Sequence, residues 1–494
     1  MAETLQFAGE FRLDKCELIS SSGVSADISK IIAEINIFED IFSTSLTGSI
    51  IISDTNNLVD NMPIIGQEYI SLRITTPSME QDAIDFTENV FCVYEMGGRT
   101  PAGTNSEVVE LKICSPELLR NERTRISKSY EETADQIVKS IMENEKYINT
   151  KKDLYLEPTL GIRKILSPNY HPYKLIQRLT RESMSAKNDS PHYLFFEDIN
   201  GFHFRSLQSL YDDGIQGEFH FGDKGSDEVY TSSSDAGKLV QAYKRMINFS
   251  VPSKNNSIFD IKGGMLGSKL IMHDIYNKKY QTSTFSYFDD HDKYERLEEN
   301  SSPKYNNVLI DEENTVGNFT DSRIHLHPTS VTTDDRDAQY TKLPPPTVDE
   351  LVEQGVDRGL ARAAVDEEEK RVEEDPDFMS NRADKWLLQR QQRIHELNNG
   401  MTINMSVHGN TTLTVGQVIS VSLPVFGVDH EDTRISKHQS GLYLINKLRH
   451  TFNPPTRTHT VSLQATKDSY PIEFESKASG QEPKPGGKPT VYQL

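Results

Sequence analysis

The sequence predicts a mainly β protein in which one small β-unit is built twice, with a mixed α/β region and a helical insertion between its strands. Three observations predict it: strand-like runs recur in one order near both ends, helical periodicity replaces them in between, and a Pro-punctuated charged stretch interrupts the second copy. The first copy reads Gly66-Gln67-Glu68-Tyr69-Ile70-Ser71-Leu72, then Val90 to Met96, then Val109-Glu110-Leu111-Lys112-Ile113. The second reads Gly416-Gln417-Val418-Ile419-Ser420-Val421, then Leu442 to Leu448, then Val461-Ser462-Leu463-Gln464-Ala465. Gly66 lies 45 residues before Leu111, and Gly416 lies 47 before Leu463. Ile70, Leu72 and Ile74 alternate with Ser71, Arg73 and Thr75, and Val461, Leu463 and Ala465 alternate with Ser462, Gln464 and Thr466. A period of two gives each run one dry face and one wet face. The second Gly-Gln stands one residue closer to its Ile-Ser, and an uncompensated slip would turn every side chain to the other face. The spacing therefore requires a bulge there, unless the alignment is accidental.

Residues 1–118 form the first β-unit, with strands at Ile31 to Phe38 and Ser49 to Ser53 and a turn or helix cap at Asp54-Thr55-Asn56-Asn57. Pro116 and the basic run Arg120 to Arg125 open a different region. Ser129-Tyr130-Glu131-Glu132 leads a helix with Ala134, Ile137, Val138, Ile141 and Met142 on one face. Pro172 begins another at a first-turn position, where proline is tolerated, and Leu175, Ile176 and Leu179 continue it. Tyr193 to Phe196 and Phe202 to Phe204 flank Asn200-Gly201, a pair suited to the positive φ angles of a tight hairpin. Residues 119–235 are thus a mixed α/β domain.

Strands resume in Lys238 to Phe249 and Leu270 to Ser286, so 236–287 is the first part of the second β-unit. Residues 288–400 are an irregular and helical insertion belonging with the α/β domain. In it Thr347 to Glu374 reads as one helix and Met379 to Leu397 as another, broken at Asp375-Pro376. Residues 401–475 complete the second β-unit. Residues 476–494, with Pro483, Pro485, Gly486, Gly487 and Pro489, read as a flexible tail.

At 494 residues the chain is too long for one core. Hydrophobic residues make up 35 % and mean hydropathy is -0.57, and no run approaches 18 consecutive apolar residues, which excludes a helical membrane span. The start, Met1-Ala2-Glu3-Thr4, lacks the basic and apolar segments of a signal peptide. Cys16, Cys92 and Cys114 form no Cys-X-X-Cys pair and fit small apolar packing in a reducing site of synthesis. A net charge of -21 argues against tight nucleic-acid binding, which needs Lys and Arg to neutralise phosphates.

No catalytic, cofactor or metal constellation rises above background. Asp289-Asp290-His291-Asp292 reads as an exposed loop before it reads as a cation site. His325-Leu326-His327 puts two rings on one face of an extended segment without an identifiable third ligand. Lys262-Gly263-Gly264-Met265-Leu266-Gly267-Ser268-Lys269 has the wrong order for a phosphate loop. Glu197 and Asp198 are adjacent in a strand, so they point to opposite faces and cannot act as an acid and base pair. A run such as Asp366-Glu367-Glu368-Glu369 reads as a solvated helix face.

Four stretches resemble baseplate central hub proteins of T-even-like contractile-tailed phages. Ile35 to Ser43 leading into Leu46-Thr47-Gly48-Ser49-Ile50, with Leu58 to Gln67, is similar to their N-terminal barrel. Tyr193 to Leu207 resembles the hairpin after their first helices, Gly263 to Tyr287 their strand pair with a Gly-rich turn, and Thr412 to Leu423 with Leu442 to Asp468 their closing strands. The resemblance implies two tail-tube-like β-barrel domains per subunit, similar to the base of type VI secretion spikes. It implies a homotrimer whose six barrels form a pseudo-sixfold ring between a hexameric tail tube protein and a trimeric central spike protein, with DNA passing through without specific binding. It implies a virion location in the tail baseplate, after synthesis in the host cytoplasm, and no catalytic residue, metal or cofactor. Three chains would carry a formal charge of 3 × -21, or -63, which raises the expectation of an acidic channel that repels phosphates. The charged helices from 347 to 397 are candidates for docking a wedge, spike or fibre component, or for bracing the barrels. A hub-fused cell-wall hydrolase would need suitably spaced carboxylates or a zinc motif. A carbohydrate-binding receptor module would need exposed aromatics, and the single Trp386 falls on a predicted helix.

Overall fold

The computed structural model describes residues 5–470 apart from 56–57, 63, 78, 104–105, 222–234, 253–255, 275–278, 299–302, 306–314, 316, 318, 329–347, 354–356, 364, 366–382, 425–434 and 437. The predicted 476–494 tail, the acidic run at 366–369 and the Asp375-Pro376 break lie outside the described residues. In chain order the strands are β1 (Arg12–Ile19), β2 (Ser25–Asp27), β3 (Ile32–Asp40), β4 (Thr47–Asp54), β5 (Tyr69–Thr76), β6 (Met79–Pro101) and β7 (Glu107–Cys114). Then come β8 (Ser129–Thr133), β9 (Asp153–Leu156), β10 (Ile162–Leu166), β11 (Tyr193–Glu197), β12 (Gly201–Ser206), β13 (Ile215–His220) and β14 (Met246–Ser250). The last are β15 (Gly267–Asp274), β16 (Lys279–Ser286), β17 (Ile324–Pro328), β18 (Met401–His408), β19 (Val418–Ser422), β20 (Gly441–Asn453) and β21 (Thr458–Lys467). The chain is mainly β, and most of its strands belong to one large, chiefly antiparallel sheet.

That sheet contains the repeat. The strand order β1-β5-β6-β7-β4-β3 in the first unit is matched by β13-β19-β20-β21-β18-β14 in the second, and the chain visits both sets in the same sequence. Irregularities coincide as well. β6 and β7 pair Val93 with Ile113 and then Glu95 with Lys112, skipping Tyr94; β20 and β21 pair Ile445 with Ala465 and then Lys447 with Gln464, skipping Asn446. β3 skips Ala33 against β4, and β14 skips Ile247 against β18. A bulge is a specific local kink, so the same bulges at equivalent places argue for one design used twice. One pairing differs: β1 runs antiparallel to β5, whereas β13 runs parallel to β19.

The one-residue mismatch sits in the turn and not in the strand. The Glu68 carbonyl accepts from the Val93 N–H at 2.8 Å, and the Gln417 carbonyl accepts from the Ile445 N–H at 2.9 Å, so Glu68 and Gln417 are equivalent. Gly66 and Gly416 both turn through positive φ, 84° and 81°, which favours glycine. The extra residue of the first copy is held in a loop closed by the Glu68 carboxylate, which accepts from the N–H groups of Ile65, Gly66 and Gln67 at 2.9, 2.9 and 3.1 Å. Strand faces therefore stay in register, and Ile70 and Ile419 are both fully buried.

Several expectations are corrected. Ser129–Thr133 is a strand paired with Ile162–Leu166, and the helix begins only at Ala134, burying the expected Ala134, Ile137, Val138, Ile141 and Met142. The β-branched and polar residues at 129–133 follow a strand partner further along the chain that local pattern does not reveal. Asp235–Lys244 is a helix, not a strand. β15 and β16, expected in the second barrel, pair with each other, and β15 pairs with β17, which lies inside the stretch expected to be irregular; the three form a separate sheet. Asp357 is not helical, so Thr347 to Glu374 is not one helix; its carboxylate accepts from the Gly359 N–H at 2.9 Å and starts a new turn. The β11–β12 turn is organised by Asp198, whose Oδ1 accepts from the N–H groups of Asn200 and Gly201 at 2.8 and 2.9 Å; Asn200 keeps a negative φ.

A buried ionic cluster fastens the α/β region to the first barrel. The Lys152 ammonium bonds Glu197 and lies 3.2 Å from Glu117, while Glu197 also accepts from the Leu46 N–H and the Ser115 hydroxyl, both at 2.8 Å. Burial raises the Glu197 carboxyl to about 7, against the pull of Lys152. Removing one partner of a buried pair strands the other charge, which costs about 3–5 kcal/mol. Lys152→Met is therefore expected to lower the unfolding free energy by about that amount. Urea denaturation followed by circular dichroism reads the change, and a loss below about 1 kcal/mol would assign the cluster no such role.

Candidate functional site

The two barrels meet edge to edge. β20 changes partner along its length: residues 441–444 pair with β19, and residues 447–452 pair antiparallel with β3 of the other copy. The register sets Lys447 opposite Asp40, Arg449 opposite Phe38, Thr451 opposite Asn36 and Phe452 opposite Ile35. On the solvent face Lys447 Nζ lies 3.0 Å from Asp40 and Arg449 lies 3.2 Å from Glu34. Arg449 Nε and the Thr451 hydroxyl both donate to Asn36 Oδ1, at 2.9 and 3.1 Å. On the buried face the cores interlock. Phe452, from the second barrel, is fully buried in the apolar core of the first and meets Phe11 edge-on at 5.1 Å; Ile41, from the first, is buried in the core of the second.

Beneath the seam lies a buried polar group. Glu39 Oε2 accepts from the Val415 N–H at 2.9 Å, and Oε1 stands 3.6 Å from His450 Nε2. His450 Nδ1 is 3.0 Å from His459 Nε2, and Phe452 stacks on His459 at 4.0 Å. Burial raises the Glu39 carboxyl above the usual carboxylate range, opposed by His450. Burial, helped by His450, holds His459 well below the usual imidazole value.

The internal seam joins different strands of the two copies, β3 of one and β20 of the other. Each copy therefore has one surface of each kind, and one of each lies outside this seam. By the bulge-matched alignment β14 is equivalent to β3, and Glu95–Pro101 of β6 is equivalent to the part of β20 that pairs with β3. Among the described residues β14 stands at the end of the strand order, beside β18, and Glu95–Pro101 has β7 as its strand partner. A strand at the margin of a sheet is a template for another chain.

The solvent face across the seam is concave, a hollow of about 800 Å³ lined by residues such as Phe38, Asn248, Asn404, Ser462 and Gln464. Its ions are paired: Lys447 with Asp40, Arg449 with Glu34 and, further along, Lys112 with Glu95 at 2.8 Å. The acid excess of the chain is not concentrated on this face.

The residues weighed for chemistry are dispersed. Glu197 bonds Lys152, while Asp198 holds its turn and lies 3.1 Å from His203, so the two carboxylates have separate partners. Residues 289–292 are short helical turns, Tyr287–Asp290 and His291–Lys293, and not a loop; His291 is buried, while Asp289 and Asp292 are exposed. His325 and His327 share one face of β17, and His327 meets Trp386 edge-on at 5.8 Å. Gly263 and Gly264 end the helix Ser257–Lys262. Burial pushes the Cys16, Cys92 and Cys114 thiols up to about 12, 11 and 12, which makes them poor nucleophiles. Among the described residues no three His, Cys, Asp or Glu side chains are placed to hold a metal ion, and no helix is long and apolar enough to cross a membrane.

No family model matches the chain. A curated relative, a probable baseplate hub protein of Vibrio phage KVP40, is 22% identical over 260 residues. The chain is similar to a phage baseplate hub protein. The match spans 52% of this chain and 59% of the relative, less than two thirds of its length. Solved structures include a tail protein from Neisseria meningitidis MC58, at 7% identity and TM-score 0.48 over 94% of this chain and 100% of that one. Another is a 43 kDa tail protein of prophage MuSo2 from Shewanella oneidensis, at 8% identity and TM-score 0.44 over 92% and 98%.

Two outcomes follow from the seam. Phe452→Ala removes a side chain that fills the core of the neighbouring barrel, so a loss of about 3–5 kcal/mol is expected by urea denaturation. A loss under about 1 kcal/mol would mean that the cores are not interlocked. Because His459 binds a proton less readily folded than unfolded, stability is expected to fall as pH drops below the ordinary imidazole value of 6.5. Glu39 acts in the opposite sense, so the comparison that isolates His459 is His459→Asn. Its urea midpoint should change less between about pH 7 and about pH 5.5 than that of the parent chain.

Proposed function

We propose that the chain is a structural, non-enzymatic subunit of the baseplate hub of a contractile phage tail. Residues 1–118 form one tube-like barrel, residues 236–287 and 401–475 contribute to the other, and 119–235 with 288–400 brace them, with the 267–286 hairpin reassigned to that brace and the strand Ile215–His220 to the second barrel. Three copies close a ring of six barrels between a hexameric tail tube and a trimeric spike, within the virion. One observation carries the reading: two copies of one β-unit are joined head to tail through β3 and β20, which sets their counterparts, β14 and Glu95–Pro101, on the outer sides of the pair. A head-to-tail contact makes a closed ring where its rotation closes and an open filament where it does not. The resemblance to hub proteins supports three as the number.

Ring closure would join the sheets into one cylinder with the concave seam face lining the channel. Its polar residues and paired ions give DNA neither a basic surface to adhere to nor the strongly acidic one expected from net charge alone. Weak contact suits passage.

The internal register, carried to the outer edges, gives the contact between chains. Lys447 opposite Asp40 becomes Glu95 opposite Lys254 of the next chain, with the charges exchanged; Lys254 lies outside the described residues. The expected species in solution has three times the 56.0 kDa chain mass, alone or with a spike partner. Light scattering with size separation tests it. Glu95→Lys should shift the balance to single chains, and Lys254→Glu in the same chain should restore the trimer. A particle that stays monomeric or dimeric at every concentration and with the spike present would overturn the ring.

A further inference from the structure

Outside the barrels, one cleft reverses the charge of the chain. It has a volume of about 930 Å³ and lies between the helix Ala383–Asn399, the short helix Ser257–Lys262, the end of the helix Pro172–Glu182 and β17. Arg181, Lys262, Arg323 and Arg390 line it and, among the described residues, no Asp or Glu does, in a chain where 74 carboxylates outnumber 53 Lys and Arg. The four cations come from four separate elements, so no single helix face accounts for their convergence. Among the described residues none of the four has a carboxylate within ion-pair distance: Arg323 Nε meets His325 at 3.4 Å, and Arg390 donates to the carbonyls of Pro191 and Tyr193 at 3.2 and 2.6 Å. Burial, with the Arg181 guanidinium nearby, pulls Arg390 down to about 9. A cation held among cations is stabilised by an incoming anion.

The rest of the described lining joins an apolar patch to the polar side chains of His325, Gln391, His395, Asn398 and Asn399. Trp386 forms part of the floor with Leu387 and Ile394, and Phe259, 53% exposed, stands at the rim. A bare phosphate would use the cations and leave that floor uncovered. A nucleic acid would have to approach a chain of net charge -21 with its own dense charge. We infer that the cleft binds an acidic polypeptide segment carrying an aromatic or aliphatic residue, presented by another protein of the assembly. Carboxylates meet the arginine forks, and the apolar side chain covers the Trp386 floor.

Trp386 is the single tryptophan, so intrinsic fluorescence reports on this cleft. The probe is a heptapeptide of glutamates with one central phenylalanine, titrated into the full chain. A saturable change in emission is expected, weakening as salt rises. Arg323→Gln and Lys262→Gln, on exposed side chains, should each weaken the affinity about tenfold without altering the circular dichroism spectrum. The inference is overturned if emission does not respond, if a lysine heptapeptide responds equally, or if tripolyphosphate or an all-glutamate peptide binds as tightly. Tighter binding of a single-stranded oligonucleotide would reassign the cleft to nucleic acid. A variant with Asp366→Asn, Glu367→Gln, Glu368→Gln and Glu369→Gln tests occupation by the chain itself; much tighter peptide binding to it would overturn the partner.

Discussion

The antiparallel pairing of β3 with β20 is the constraint on which the rest of this molecule depends. It joins two barrels through hydrogen bonds that continue one sheet, and it exchanges Phe452 and Ile41 between the two cores. Rotation of one barrel against the other would break a row of backbone bonds and open both cores, so the pair behaves as one body. The same contact decides what is left over. Because it uses unlike strands of equivalent units, it cannot consume both surfaces of either one. The outer positions of β14 and Glu95–Pro101 are then a structural consequence of duplication.

Ionic contacts set the bracing elements around that body. Arg393 bonds Asp468 at 2.6 Å and Glu396 at 3.0 Å, and Arg296 lies 2.7 Å from Glu396, so the helix Ala383–Asn399 is tied to the end of β21 and to the turn after Lys293. Arg393 holds the Asp468 carboxyl below the usual carboxylate range despite its burial. Lys152 performs the same task at the first barrel. Buried pairs of this kind add little net stability over apolar packing, because desolvation offsets most of the attraction. They do penalise any arrangement in which a partner is missing. Their effect here is to fix where the braces attach.

Much of the fold was legible in the sequence because the repeat is written in local terms. The Gly-Gln turns, the alternating strands and the buried stripe from Ala134 to Met142 all follow from neighbours within a few residues. Sheet membership does not. β15 and β16 alternate like barrel strands, yet their partner is β17, and nothing in their own residues distinguishes the two choices. Lys238 to Phe249, expected as strand, is helical as far as Lys244 for a related reason: Leu239, Val240 and Tyr243 suit either period over so short a run. The seam was equally hidden, since strand edges are defined by which partner is absent. The cationic cleft could not be read at all, because its four cations lie far apart in sequence and are outnumbered everywhere by acids.

The duplicated units differ most where the proposed ring needs them to differ. In a ring of alternating barrels, two wrong contacts must be rejected: first barrel to first barrel, and second to second. The transferred register supplies the rejection. The internal seam sets Lys447 against Asp40, and the proposed ring would set Glu95 against Lys254 between chains, whereas the wrong contacts would set Lys447 against Lys254 or Glu95 against Asp40. Like charges placed opposite each other across strands are repulsive, so the exchange of signs favours alternation without any extra contact. Backbone chemistry separates the two seams further. Pro252 and Pro101 occupy the positions equivalent to Phe38 and Phe452, and proline has no N–H to donate to a ladder. In the proposed ring the seam between chains would therefore be weaker than the internal one, so each chain would fold its two barrels together before its neighbours arrive.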